Sequence, residues 1–421
     1  MLYTTCNDFD QQSLIKSAQQ NYENYDVYIL DDSYDKKYIK QIDKFVKKYK
    51  DKFKLIRREN REGFKAGNIN NFLKNYDLEY DYFVLLDSDE IIPNNFISET
   101  LKYFIDEKIG IVQANHKGTR GQNLFDSIGE LGIYPAWTAF IKVKNEYGVV
   151  TLNGHGAIIS RKCYEDTNGF PPLVAEDLAF TINLMNKGYR VLFAEDVICE
   201  EVFPIDYLAF KKRSIKWTQG NIQFFKVMWL KMLKLNISFF KKIDLWLSTT
   251  SLSLSVFSIF VVIINFSILY PLGFKYSHLY ILLVFMIVFL ITPFINDFIF
   301  LVNKIKFWKL LSYILFCLML YTSMIVCSIK TLILTLLGKK AKFIITPKNE
   351  QKYSFWEAIK INWLELLIAN LLVIWMILIW IYLPEYKFLG IAILSILTIS
   401  LYSTIFLTLL SNKKINQFYN E

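Results

Sequence analysis

Up to about Asp206, short apolar runs alternate with stretches of helical period. "MLYTT" leads into an amphipathic stretch from near Gln11, and "DVYILDD" precedes a lysine-rich helical segment over 36–49. "KLIRR" precedes "AGNINNFLKNY", and "YDYFVLLDSD" precedes "PNNFISETLKYFIDE", with "IGIVQA" after it. This alternation predicts βαβ units, hence a mainly parallel sheet with helices on its faces. Ligands of such sheets sit beyond the carboxyl ends of the strands.

The pattern then changes. Over 207–234 Ile215, Ile222, Phe225, Trp229 and Met232 recur at helical steps with lysines between them, which predicts an amphipathic helix in a membrane surface. Five long apolar stretches follow, at 245–272, 278–296, 307–337, 363–383 and 388–410. Each has the roughly 20 residues a span requires. The expected organisation is a water-soluble α/β domain over 1–205, interfacial helices over 206–244, a membrane domain over 245–410 and a short tail over 411–421.

Composition sharpens this division. The 421 residues are 53% hydrophobic, with a formal net charge of +9. Many lysines flank the apolar stretches, which marks a cytoplasmic membrane face and an affinity for membrane lipids rather than nucleic acid. The five cysteines form no CxxC pair and read as reduced thiols. The three histidines, His116, His155 and His278, read as too scattered for a metal cluster. No leader-like apolar stretch precedes the first strand, which begins at once and leaves room for an upstream segment.

Acids mark the strand ends. Asp31 and Asp32 close "VYILDD", and Asp87 and Asp89 close "YFVLLDSD". Residues i and i+2 of an extended chain point the same way, so Asp87 and Asp89 can converge on one hard divalent cation, Mg²⁺ or Mn²⁺. An isolated D-x-D is equally a pair of solvated turn acids. "REGFKAGNINN" adds Lys65 amid glycines, suited to phosphates or to a plain helix-opening loop. Glu176 and Asp177 open a helical pattern, where acids also serve simply as favourable N-terminal charges. Trp217 offers a flat face for a sugar or an interfacial anchor, and Trp137 reads as packing.

In order, "LDDS" at 30–33, "GFKAGNIN" at 63–70, "LLDSDE" at 85–90, "AEDLAF" at 175–180, "RSIKWTQGNIQ" at 213–223 and "FIITPK" at 343–348 resemble family 2 glycosyltransferases. The branch is that of the membrane-embedded cellulose, chitin and hyaluronan synthases. The resemblance implies a GT-A (Rossmann-like) cytosolic domain and transfer from a nucleotide sugar with inversion. By position it implies that Asp31 and Asp32 contact the nucleotide, with either open as the base-binding residue, and that Lys65 helps hold it. Asp87 and Asp89 would bind the metal–diphosphate, Asp89 more directly. Asp177 matches the general base. Trp217 matches the acceptor-side tryptophan, with Glu176 and His155 in the region of the acceptor. Phe343, Thr346 and Lys348 would belong to a gating loop over 338–352, with Lys348 on the diphosphate. The synthases read Q-x-x-R-W where this chain has Arg213 and Lys216, and lysine lacks the two-pronged grip of a guanidinium on phosphate.

Five crossings would put "FIITPK" and the lysine-rich tail outside, against the positive-inside bias. The stretch over 307–337 carries Lys330 and many hydroxyls and is expected in the cytoplasmic interface, leaving four spans and a cytosolic catalytic domain in the plasma membrane. The leading expectation is an inverting, processive hexosyltransferase that extends a β-linked extracellular polysaccharide from a UDP-sugar, UDP-glucose first, through its own channel. The alternative, motivated by Arg213 and Lys216, is a single-addition enzyme acting on a membrane lipid or a lipid-linked, teichoic-type acceptor. A transporter or channel is the non-enzymatic alternative, and the acidic motifs of the soluble half argue against it.

Overall fold

A single sheet of seven strands forms the N-terminal half: β1 (Leu2–Thr5), β2 (Val27–Asp31), β3 (Phe53–Ile56), β4 (Tyr82–Leu86), β5 (Ile109–Gly118), β6 (Ala157–Ser160) and β7 (Arg190–Glu201). The computed structural model describes residues 1–76, 80–119, 121–264, 294–339, 341, 347–348, 351–382 and 387–414. The strand order is β3-β2-β1-β4-β6-β5-β7. β1, β2, β3 and β4 run parallel, as do β5 and β7, whereas β6 is antiparallel to both its neighbours. The sheet is therefore mixed, the GT-A-like arrangement, and β6 departs from the parallel expectation.

Side-chain alternation splits the core into two layers. On one face Leu2, Tyr28, Leu30, Phe83 and Leu85 pack with the helix Phe64–Asn75 through Ile69 and Phe72. On the other, Tyr3, Ile29, Val84 and Leu86 pack with Leu14, Ile42 and Phe96 from the helices Gln11–Ser17, Lys36–Lys48 and Phe96–Leu101. Asp10 and Asp35 cap the first two helices by accepting from backbone N–H groups, which is why those helices begin where the sequence pattern places them.

The helix Tyr207–Leu233 starts at Asp206, whose carboxylate accepts from Ala209 N at 2.6 Å. It joins the sheet domain to a helical C-terminal region. Phe125, Phe203, Tyr207 and Phe210 pack against Leu310, Phe316, Leu320 and Leu407. The stretch expected over 307–337 is two helices, Phe307–Ser323 and Ile325–Leu336, that meet at Met324. The expected first span falls in the helix Phe239–Ile264, which starts six residues earlier than 245; residues 265–293, including most of the span at 278–296, lie outside the described residues. The last two apolar stretches are the helices Trp363–Tyr382 and Lys387–Leu410. Among the described residues, Phe307–Leu336 and Trp363–Tyr382 are long and apolar enough to cross a membrane.

Lys211, on the helix that leaves the sheet domain, pairs with Glu365 in the first turn of Trp363–Tyr382, and both side chains are largely buried. Removing one partner leaves a buried charge alone. Glu365→Ala should therefore lower unfolding stability in detergent by about 3–5 kcal/mol. A loss below about 1 kcal/mol would show the pair to be dispensable.

Candidate active site

Progress along the sheet reverses at β1, whose neighbours are β2 on one side and β4 on the other. That reversal opens a crevice at the carboxyl ends of the strands. A cavity of about 1510 Å³ lies there. Its wall includes Asp8 after β1, Asp32 after β2, Asp87 and Asp89 after β4, and Gly154 and His155 before β6. Glu176 and Asp177, then Arg213, Lys216 and Trp217, and finally Lys348 complete it. Residues from positions 8 to 348 thus share one space.

The acids are balanced by two lysines. Lys65 Nζ lies 2.5 Å from Asp87 Oδ1 and donates to the Gly154 carbonyl at 2.7 Å. Lys348 Nζ lies 2.9 Å from Asp8 Oδ2 and 3.1 Å from Asp89 Oδ1, and also donates to Ser88 Oγ. Burial disfavours the charge on Asp87, but Lys65, His155 and Lys348 outweigh it and hold the carboxyl well below the usual carboxylate range. Burial likewise opposes the charge on Lys348, and Asp8, Asp89 and Asp87 push its pKa well above the usual lysine value. Carboxylates that draw ammonium groups this closely offer the all-oxygen donor set suited to Mg²⁺ or Mn²⁺, so Asp87 and Asp89 fit the expected metal. Asp8 was missed in the sequence reading. Its signal was weaker, since Asp87 directly follows β4 whereas Asp8 stands three residues beyond the end of β1.

Asp177 lies beside Gly154, whose carbonyl accepts from Lys65. A Cβ built on Gly154 would lie 3.2 Å from Asp177 Oδ2, so Asp87, Lys65, Gly154 and Asp177 form a continuous series. The helix Glu176–Asn186 places Glu176 and Asp177 in its first turn. Burial raises the pKa of both carboxyls, and the charge of Asp177 adds to the rise at Glu176, while Lys65 and Lys216 work against it.

Asp31 and Asp32 separate because successive residues at a strand end face opposite ways. Asp32 lines the cavity and is held by Arg58, with Nε–Oδ1 at 2.9 Å and Nη2–Oδ2 at 2.6 Å. Asp31 turns away from the cavity wall to Arg57, with Nε–Oδ2 at 2.6 Å. The two arginines were not singled out from the sequence. Trp217 is 46% exposed and presents its ring to the cavity. Arg213 stacks over that ring with its guanidinium carbon 4.7 Å from the centroid. Burial lowers the pKa of Lys216, against the pull of Asp87 and Glu176. Phe343 and Thr346 lie outside the described residues.

The histidines correct the sequence reading. His116 on β5 and His155 before β6 lie with ring centroids 4.8 Å apart. Both reach Glu90 Oε1, His116 Nε2 at 2.9 Å and His155 Nδ1 at 3.2 Å. Trp137 packs against the core as expected, lies against His116 at 4.0 Å and borders the cavity. Burial works against the charge on His155, yet Glu90, Asp87 and Glu201 push its pKa up to about 10. Burial also opposes ionisation of Glu90, which His155 and His116 nevertheless bring down to about 2.

The profile described as "Glycosyltransferase like family 2" matches residues 12–220. Two curated relatives from Oryza sativa subsp. japonica are similar to the chain. "Probable glucomannan 4-beta-mannosyltransferase 11" is 24% identical over 233 residues, 52% of this chain and 40% of the relative. "Probable glucomannan 4-beta-mannosyltransferase 9" is 24% identical over 232 residues, 52% of this chain and 42% of the relative. The chain thus spans about two fifths of the length of these relatives. Among solved structures, mannosyltransferase PcManGT from Pyrobaculum calidifontis, in complex with GDP-Man and Mn²⁺, aligns with a TM-score of 0.48 and 16% identity, covering 80% of this chain and 87% of that one. S. aureus TarS 1-349 in complex with UDP-GlcNAc aligns with a TM-score of 0.40 and 18% identity, covering 60% and 72%. The chain carries a glycosyltransferase family 2 domain.

The turn before β6 has little tolerance. Gly156 has φ +57, and an added Cβ would lie 2.4 Å from both Glu90 Oε1 and His116 Nε2. Gly156→Ala should cost about 2–4 kcal/mol in thermal or denaturant unfolding, from left-handed strain plus overpacking. Gly188, at φ +86 with nothing within 4 Å, is the control. Its alanine variant should cost about 1 kcal/mol, and equal losses at the two positions would refute the close approach.

Proposed function

We propose, starting from a glycosyltransferase family 2 domain, that this chain is an inverting hexosyltransferase that takes its sugar from a UDP-sugar, UDP-glucose first, and extends a β-linked glycan at the membrane. The observation behind this reading is the joining of Asp87, Lys65, Gly154 and Asp177 in one cavity at the switch point of the sheet. Asp32 and Lys65 hold the nucleotide end. Asp87 and Asp89 hold Mg²⁺ or Mn²⁺, which supplies charge neutralisation for the departing diphosphate. Lys348 adds a positive charge beside the same oxygens.

Asp177 is the general base. It takes the proton of the acceptor hydroxyl as that oxygen forms its bond to the anomeric carbon. The bond from that carbon to the diphosphate breaks on the opposite face, and its electron pair leaves with the nucleotide. Burial gives Asp177 the raised basicity this task requires. Trp217 supports the acceptor sugar, and His155 and Glu176 border it. Arg213 and Lys216 at the altered motif favour a second reading, addition of one sugar to a lipid or lipid-linked acceptor.

The membrane placement belongs to the same proposal. Phe307–Leu336 packs through Phe316 and Leu320 on Phe125 of the sheet domain and on Tyr207 and Phe210 of the helix that leaves it, which suits a segment lying along the interface. Trp363–Tyr382 is mostly exposed, which suits a span. Four spans with the catalytic domain on the cytosolic side satisfy the lysine distribution.

Membranes carrying the protein should release UDP from a UDP-sugar with Mg²⁺ or Mn²⁺ and stop on chelation, with mass analysis of the product separating polymer from single addition. Asp177→Asn should lower kcat by about 10²–10⁴-fold, and unimpaired transfer would remove Asp177 as the base. The rate should rise with pH through a limb above the ordinary carboxylate range of about 4, because Asp177 must lose a proton that burial makes it keep. A limb at or below about 4 would contradict the raised base.

A further inference from the structure

Arg213 differs from the other cations at this site. Arg58 is held by Asp32, Lys65 by Asp87, and Lys348 by Asp8 and Asp89. Arg213 has no carboxylate within ion-pair distance among the described residues, and its Nε is buried with no hydrogen-bond partner. Three rings surround the guanidinium instead: Trp217 at 4.7 Å, Phe210 at 5.0 Å and Phe203 at 5.2 Å. Glu201, also on the cavity wall, faces His155 at 3.5 Å. Burial depresses the basicity of the guanidinium only within a range where it stays charged. A stacked guanidinium keeps its N–H edge open for a two-pronged bond to phosphate or carboxylate.

Glu201 and Asp89 oppose this charge only from beyond ion-pair distance, and its position bears on what ligand would complete it. Lys65 and Lys348 already face the acids of the donor end. Arg213 lies one helical turn before Trp217, on the acceptor side. We propose that Arg213 selects an acceptor that carries an anionic group, phosphate or carboxylate, beside the sugar seated on Trp217. This rests on the reading of the cavity as a site of sugar transfer. A neutral glycan would leave the guanidinium desolvated and without a direct partner, so the site discriminates against it and favours the second reading, a lipid-linked anionic acceptor, over extension of a neutral glucan.

The test uses the full chain in nanodiscs and three acceptors of matched length: a glycerol-phosphate oligomer, an oligouronate and a neutral β-linked oligosaccharide. Equilibrium dialysis with labelled UDP-sugars first establishes donor binding. The wild type should favour one anionic acceptor over the neutral one by about 10- to 100-fold in kcat/KM, carried by acceptor KM, and the preferred arm identifies phosphate or carboxylate. Arg213→Gln should abolish the preference, and Arg213→Lys should keep part of it, since the charge remains and the fork is lost. The lysine variant reads the same ratio if the glutamine variant fails to fold. Donor binding with equal use of all acceptors overturns the inference alone, as does a rise in donor KM rather than acceptor KM in the variants. Absence of donor binding overturns the transferase reading itself.

Discussion

Half-buried carboxylates gathered at one point draw positive charge to that point, and this attraction organises the site. Asp8, Asp87 and Asp89 come from the ends of β1 and β4 because the sheet reverses there. Their mutual repulsion favours a cation placed among them. Lys65 answers from the helix after β3, and Lys348 from more than 250 residues further along the chain. The same balance marks the place proposed for a nucleotide diphosphate and its cation.

A second balance holds around the histidines. Glu90, fully buried, accepts from His116 and His155, and Gly156 N donates to its other oxygen at 3.0 Å. This cluster stiffens the turn that carries Gly154, the residue between Lys65 and Asp177. Aromatic packing does comparable work at the seam between the sheet domain and the C-terminal helices, where Phe125 meets Phe316 at 5.1 Å. The helix Tyr207–Leu233, which carries Trp217, is thereby held by both halves of the chain.

Local signals made much of this legible. Strand-end acids, the glycine-flanked Lys65 and the starts of the helices Gln11–Ser17 and Lys36–Lys48 depend on neighbours in sequence, and they were readable there. What escaped depends on topology. The proximity of His116 and His155 follows from the pairing of β5 with β6, and β6 is only four residues long, with no alternation to betray its antiparallel direction. The Arg57 and Arg58 pairs with Asp31 and Asp32 follow from β2 lying beside β3. The break at Met324 has no proline or glycine to announce it. Asp8 was less legible than Asp87, since it stands three residues beyond its strand rather than directly after it.

The ion pair between Lys211 and Glu365 also has a mechanical meaning. Trp363–Tyr382 has 20 residues and is therefore about 30 Å long, close to the thickness of a bilayer's hydrocarbon layer. A lipid mixture that is too thin or too thick tilts such a helix. Its first turn is tied two residues from Arg213 and six from Trp217, so in the proposed membrane placement the tilt becomes a displacement of the surface proposed for the acceptor. That placement couples lipid chain length, through one lysine and one glutamate, to the geometry of the proposed site.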